Sequence, residues 1–420
     1  MLVFQNLFGL VLTFQHYVLE TSVSTSSKAE WCISEGNKHF FSNSCENIFD
    51  GITFNTLFVI QIWWNLISTT VYVNQKSPHE EKVDTSEEKF MSFKKLVMVP
   101  MLSMALLCAG SAQAKKVTMN ISFGVSDGHP YGTFMHTFAD RFEKLSGGTV
   151  KVKVHCCNKM GSEQETFKKL QLGTLDGTMI AQNNAGPFYP KIDLLVLPYM
   201  IQNYEHAVKV ADGPIGQAIW GNMPEEVGVH LYTIPLFSFR HIYNTKMPIN
   251  NLEDFAKMKY RVPKNVVMMD TYKAFGSDPV PIAWAEALTA TQTGTVDGGD
   301  LPIDVMYSQK FHDVAKHIAE TGHFVLAPPF FIGNKFMAKL DDKQKEAMQM
   351  ASKIATESSR FHTNYAMGMV KEKLIAAGVT FTSPELGPWI EKAKEVHKAF
   401  AEERGPEYVA IMDQIYAAAK

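Results

Sequence analysis

The chain is poor in the residues from which several kinds of protein are built. Five cysteines in 420 residues are too few for a disulfide-framework fold, and the lack of any Cys-x-x-Cys pair argues against a structural zinc site. There is no basic excess: 40 Lys and Arg face 43 Asp and Glu, a formal net charge of −3. A nucleic-acid partner, which selects for a basic stripe, is therefore not expected. No His-Glu-x-x-His, no phosphate-binding loop and no Gly-x-Gly-x-x-Gly occurs, and the 14 histidines show no metal-ligand spacing. Neither metal nor cofactor is expected. What is present is an ordinary globular mixture, 46% hydrophobic and 20% charged, long enough for two domains.

The composition is uneven. Residues 1–90 are rich in Phe, Asn, Ser and Thr, and no arginine precedes Arg141. Two charge-free runs, Met1–Leu19 and Gly51–Val73, are interrupted by Gln and Asn and make mediocre membrane spans. At Met91 the text changes. Lys94 and Lys95 form a positive region, Leu96–Cys108 an apolar core, and Ala112-Gln113-Ala114 a small-residue cleavage site. That is a complete secretory signal with its own methionine. The favoured reading is a start at Met91, with 1–90 a mis-assigned extension; the alternative is a membrane-anchoring extension. Cleavage after Ala114 leaves 33 basic and 33 acidic residues, because 7 and 10 of them lie in 1–114. The expected product is a neutral, exported, periplasmic domain pair.

Val117–Gly124 alternates as a strand, and Tyr131–Leu145 puts Phe134, Phe138, Phe142 and Leu145 on one helical face. Val150–His155 is strictly alternating, Ser162–Leu172 reads as a helix, and Gly177–Ala181 as a strand. This β-α-β-α-β order predicts a parallel sheet. Tyr204–Trp220 reads as helix and Val229–Pro235 as strand, and a second α/β unit follows. In it Tyr260–Pro263 is a strand, Met268–Phe275 and Ala285–Thr293 are helices, and a strand begins at Val296-Asp297. Long helices run over Asp341–Phe361 and after Tyr365. Two α/β lobes crossed several times by the chain create a cleft at their interface.

Gly124-Val125-Ser126-Asp127-Gly128 matches the Gly-x-Ser-x-Gly nucleophile elbow. It follows the first strand of the domain, where a turn and helix cap is the simpler role. Cys156-Cys157 ends the second strand; a vicinal disulfide or reduced thiols both fit, and packing is favoured over a redox role. Two arginines carry more. Arg240, in PLFSFRHIYNTKMPI, and Arg261, in MKYRVPKN, lie in strand-like segments, where a guanidinium is costly unless an anion meets it. That anion is either a carboxylate of the chain or one supplied by a ligand, which the guanidinium fork would bind bidentately. Trp284 is core or a flat wall of the cleft.

The run from Lys259 to Pro302, with KYRVPKN, AFGSDPVPIAW and ALTATQTGTVDGGDLP in order, resembles the periplasmic substrate-binding proteins of TRAP (tripartite ATP-independent periplasmic) transporters. Tyr199-Met200-Ile201 after LVLP and the segment around Arg240 match as well, and the resemblance spans essentially Met91–Lys420.

The resemblance implies an α/β two-lobed periplasmic-binding-protein clamshell, its lobes joined by crossing strands and braced by a long helix. Lobe I would be 115–237 with 327–366, and lobe II 238–326 with 367–420. The family's carboxylate-binding arginine falls on Arg261, its second cleft arginine on Arg240, and its aromatic residue on Trp284. The polar cleft position falls on Gln182, with Asn183 and Asn184 beside it; Glu163 and Gln164 occupy a loop that can face ligand. Many relatives have Asn before the proline that here is Pro302; Leu301 stands there, preceded by Asp300. Loss of the amide and the added charge of Asp300 make a small dianion less attractive than a monocarboxylate with hydroxyls or an amine. A small organic acid is the implied ligand. The implied partners are the TRAP membrane subunits, a small four-helix component and a large multispan one. No catalysis is expected. An exported ester hydrolase using Ser126, and a ligand-binding sensor of the same fold, are the rival readings.

Overall fold

The computed structural model describes residues 116–419. The expectations for 1–90, for the leader 91–114 and for cleavage after Ala114 lie outside the described residues. The first half builds β1 (Val117–Phe123), α1 (Pro130–Leu145), β2 (Val150–His155), α2 (Glu163–Leu172) and β3 (Gly177–Met179). Short helices lead to β4 (Val229–Thr233) and β5 (Ser238–Asn244). Then come β6 (Arg261–Val262), α3 (Val266–Ala274), β7 (Val280–Pro281), α4 (Trp284–Gln292) and β8 (Gly298–Leu301). They are followed by α5 (Ile303–Ser308), β9 (His317–Leu326) and β10 (Phe330–Gly333). The chain ends in the long α6 (Asp342–Ala376), β11 (Thr380–Thr382), α7 (Gly387–Arg404) and α8 (Pro406–Ala418).

Two sheets organise two lobes. The first has the order β2-β1-β3-β10-β4, the second β11-β9-β5-β8, and β6 and β7 form a separate pair. β1 is parallel to β2 and β3, and α1 and α2 supply the crossovers that parallel neighbours need. β10 is antiparallel to both β3 and β4, so the expected parallel sheet is in fact mixed. Its odd member returns from the second lobe. The chain crosses between lobes from β4 to β5 and again from β9 to β10, and α6 packs on both α1 and α5.

Local signals explain the element ends. Pro130 opens α1 and His129 caps it, its Nδ1 accepting from Tyr131 N–H at 3.2 Å. Ser162 and Glu165 form a capping box at the start of α2, and Gly173 closes that helix in the left-handed conformation. Asp341 and Gln344 form a second capping box at the start of α6. Phe134, Phe138 and Phe142 are fully buried, the first two edge-on to Phe330 of β10; the spacing i, i+4, i+8 thus finds its partner in a strand nearly two hundred residues on.

Several boundaries differ from the sequence reading. Tyr204–Trp220 is broken by Gly213-Pro214 into two helices, Tyr204–Ala211 and Pro214–Trp220. The strand expected from Val296 begins at Gly298. The two late helices expected on either side of Phe361–Tyr365 are one helix of 35 residues. Cys156 and Cys157 are joined as a vicinal disulfide.

Candidate functional site

A cavity lies between the lobes. The first lobe contributes Val125, Tyr131, Glu163, Ala181, Asn183 and Asn184, and the second contributes Arg240, Arg261, Trp284, Leu301 and Leu326 among others. These residues come from the carboxyl ends of β1 and β3 and the segments just after them, the first turns of α1, α2 and α4, the faces of β5, β6 and β8, and the end of β9.

Arg261 is 2% exposed. Pro263 follows two residues later, and the side chain lies along β6 and β7, its Nε donating to Ile282 O at 2.9 Å. Among the described residues no carboxylate pairs with it. Burial is the largest influence on this guanidinium and lowers its pKa from the ordinary arginine value, with Arg240 acting in the same direction. A buried cation with unfilled donors is costly to hold, and an anion entering the cavity relieves that cost.

Arg240 is also in the wall but is not free. Its Nε donates to Asp300 Oδ2 at 2.5 Å, and its second terminal nitrogen donates to Asp300 Oδ1 at 3.1 Å and to Asp300 O at 2.8 Å. β5 and β8 are neighbours, with Ile242 opposite Asp300, which sets the fork on the carboxylate. Burial opposes both charges, but the pairing outweighs it: Arg240 is raised and Asp300 lowered from their ordinary values. Asp300 is fully buried and absent from the cavity wall, while Leu301, the next residue of the strand, faces the cavity. Asp300 therefore does not present its charge to the ligand, as the sequence suggested; it cancels the charge of Arg240. Behind it, buried His323 bonds Thr321 at 2.8 Å, and burial depresses its pKa to about 3.

Glu163 stands on the opposite wall at the first residue of α2. Its Oε1 accepts from Ala181 N–H at 3.1 Å and its Oε2 from the amide of Asn184, whose Oδ1 in turn accepts from Gln164 at 2.9 Å. Burial raises its pKa to about 7, against the opposing pull of those bonds and of Arg261 and Arg240. Asn183 lines the cavity with its amide Nδ2 unbonded among the described residues, while its backbone carbonyl is held by Asn265 Nδ2 at 3.0 Å. Trp284, the first residue of α4, is half-buried and stacks on Phe311 at 5.8 Å. A Cβ added at Gly124 would touch its ring at an ordinary 3.4 Å but would lie 2.8 Å from Asn158 Oδ1, so the glycine there makes room for the Asn158 side chain beside the cleft.

Gln182 does not take the role expected of it. Its Nε2 donates to Val325 O at 2.7 Å and its Oε1 accepts from Ala327 N–H at 3.0 Å. Both ends of the amide hold the passage from β9 to β10, and Gln182 is not part of the cavity wall. The cavity thus gathers Arg261, Arg240, Trp284, Asn183, Glu163 and Leu301, but neither Gln182 nor Asp300. Sequence reasoning missed Tyr131 as a wall residue. It lies three positions before Phe134, so the apolar face of α1 runs on into the cleft, a signal the sequence carries. Asn265, directly before α3, also went unread. It is the N-cap of that helix, its Oδ1 accepting from Met268 N–H at 3.1 Å while its amide holds Asn183; an Asn ahead of an apolar helical run is the signal that could have found it. Ser126 accepts from Gln309 Nε2 at 2.9 Å, and no histidine bonds it among the described residues, so the nucleophile arrangement is not formed.

Comparison with known proteins agrees with this architecture. Residues 121–404 match the family model of bacterial extracellular solute-binding protein, family 7. A solute-binding protein of Verminephrobacter eiseniae is 35% identical over 238 residues, covering 57% of this chain and 70% of the relative. The sialic acid-binding periplasmic protein SiaP of Vibrio cholerae is 25% identical over 302 residues, 71% of this chain and 93% of the relative. A crystal structure of a TRAP periplasmic solute-binding protein from Polaromonas sp. JS666, bound to D-erythronate, superposes with a TM-score of 0.67 at 31% identity, covering 71% of this chain and 98% of the other. A two-lobed fold with a buried arginine in the wall of its cleft, and a family match across most of the described residues, lead to one conclusion: the chain belongs to family 7 of the bacterial extracellular solute-binding proteins, the solute-capturing components of TRAP transporters.

Proposed function

We propose that the cavity captures a small hydroxylated monocarboxylic acid, of the aldonic type seen as D-erythronate on the Polaromonas relative. The ligand carboxylate pairs with Arg261, its hydroxyls meet Asn183 Nδ2 and Glu163, and Trp284 covers its carbon chain. The observation that carries this reading is the asymmetry of the two arginines: Arg240 is neutralised by Asp300, whereas Arg261 has no ion-pair partner among the described residues. One uncompensated cation facing one buried carboxyl group favours a ligand with a single negative charge. The mature receptor begins at Lys115, acts in the periplasm and delivers its ligand to a small four-helix and a large multispan membrane subunit. Closure follows because groups of the first lobe reach the ligand only when the lobes are together. No bond of the ligand is made or broken.

The test is a thermal-shift and calorimetric screen against matched acids, an aldonate and the aldarate of the same carbon chain, alongside C4-dicarboxylates and uronates. The expected result is stabilisation by an aldonate, with weaker binding of the aldarate and loss of the effect in Arg261→Ala. Equal binding of aldonate and aldarate, or a shift indifferent to Arg261, would refute the assignment.

A further inference from the structure

The loop that the Gly-x-Ser-x-Gly match singled out has a use other than catalysis. It runs from β1 to α1 in the first lobe, and two of its side chains meet α5 and its following residue in the second. Ser126 Oγ accepts from Gln309 Nε2 at 2.9 Å. His129 Nε2 faces Asp304 Oδ2 at 3.6 Å. His129 is 0% exposed and Asp304 6%. The ring is fixed, because its Nδ1 accepts from Tyr131 N–H; the hydrogen of a neutral ring is therefore on Nε2, pointing at the carboxylate.

The local account is unbalanced. Among the described residues, neither His129 Nε2 nor either carboxylate oxygen of Asp304 has a hydrogen-bond partner. Buried groups of this kind are normally satisfied. Here the donor and the acceptor face each other from different lobes, and a further approach of roughly half an ångström brings them to ordinary bonding distance. Both sit at one end of elements that α6 braces, α1 and α5, so a relative movement of the lobes changes this gap.

We infer that His129 and Asp304, with Ser126 and Gln309 beside them, form an inter-lobe latch that is completed when the cleft closes on ligand. The inference rests on the reading of the cavity as a closing ligand site. The latch contributes nothing to recognition of the carboxylate; it holds the closed form and sets how long the ligand stays. In the open form Asp304 and His129 face water and bond it instead.

The experiment is a double-mutant cycle of His129→Asn, Asp304→Asn and the pair, read by stopped-flow release of D-erythronate. Asn at position 129 keeps an acceptor for the α1 cap while removing the ring N–H. Each single variant is expected to raise the dissociation rate about tenfold, as loss of one charge-assisted bond does, with association nearly unchanged. The pair is expected to be no worse than either single variant. The unfolding midpoint without ligand should stay within about two degrees of the parent, since the open form lacks the contact. Unchanged release rates, additive effects, or equal loss of stability with and without ligand would each overturn the latch. If D-erythronate and the other acids of the panel do not bind the parent protein, the proposed ligand class fails. The latch is then read from spin-label distances between the lobes in ligand-free protein, where the minor closed population of the parent must shrink in the variants while the main open population stays put; a closed population that is absent from the parent or unchanged in the variants overturns it.

Discussion

The carboxyl group of Glu163 makes stability depend on pH in an unusual direction. Its pKa rises from 4.5 to about 7, chiefly because it is buried. Below pH 4.5 the carboxyl is protonated in both the folded and the unfolded chain and contributes no difference. Between 4.5 and 7 the folded protein holds a proton that the unfolded chain has lost, so folding stability falls as pH rises. Above 7 both are ionised and the full cost of the buried charge is present, about 3 kcal/mol at roughly 1.4 kcal/mol per tenfold change in proton affinity. Glu163→Gln removes the titration. Its amide must share hydrogens with Asn184, which adds a constant offset but no slope. The difference in stability between Glu163→Gln and the parent should therefore grow by about 3 kcal/mol from about pH 4 to about pH 8, a relative midpoint shift of roughly 6 °C. Urea unfolding at half-unit pH steps on both proteins measures it. Parallel stability curves over this interval would refute the buried, proton-holding state of Glu163.

Other outcomes follow from the same geometry. Arg261→Ala should weaken binding of the recognised acid at least about thirtyfold by calorimetry, and Arg261→Lys should not restore it, because the ammonium lacks the planar fork. Asp300→Ala leaves Arg240 buried and unpaired and should cost about 3–5 kcal/mol in chemical unfolding; the joint change Arg240→Met with Asp300→Leu should recover most of that loss. Gln182→Ala strands Val325 O and Ala327 N–H and should cost about 2 kcal/mol in the same assay, with a smaller effect on ligand affinity than Arg261→Ala.

Much of the first lobe was legible because its signals are local. Strict alternation in Val150–His155, the spacing of Phe134, Phe138 and Phe142, and the helical run of Ser162–Leu172 each lie within one element. The second lobe hid its main strand. β9, HIAETGHFVL, carries Glu320 and Gly322 in its middle, and its pairing with β5 slips between Arg240 and Ile242, so no clean period marks it. The site was legible in kind. Arg261 and Arg240 stood out because a guanidinium on a strand demands an anion. Which of them already had one could not be read, because Asp300 lies 60 positions from Arg240 and only the β5–β8 register brings them together. Gln182 was placed correctly after β3, but its partners are 143 and 145 positions away, and nothing near it reveals that its amide is taken.

The position of β10 governs the order in which the molecule can assemble. In the first sheet β10 lies between β3 and β4, yet it is made after the whole of the second sheet except β11. Until residue 333 has emerged, β3 and β4 have open edges and Phe134 and Phe138 lack their partner Phe330. A nascent chain therefore has no finished lobe to fold early, and its closing contacts are of high sequence separation, which slows folding. In the meantime the exposed strand edges are able to pair with other chains. A product truncated before Phe330 should accumulate as aggregate rather than as an isolated first lobe.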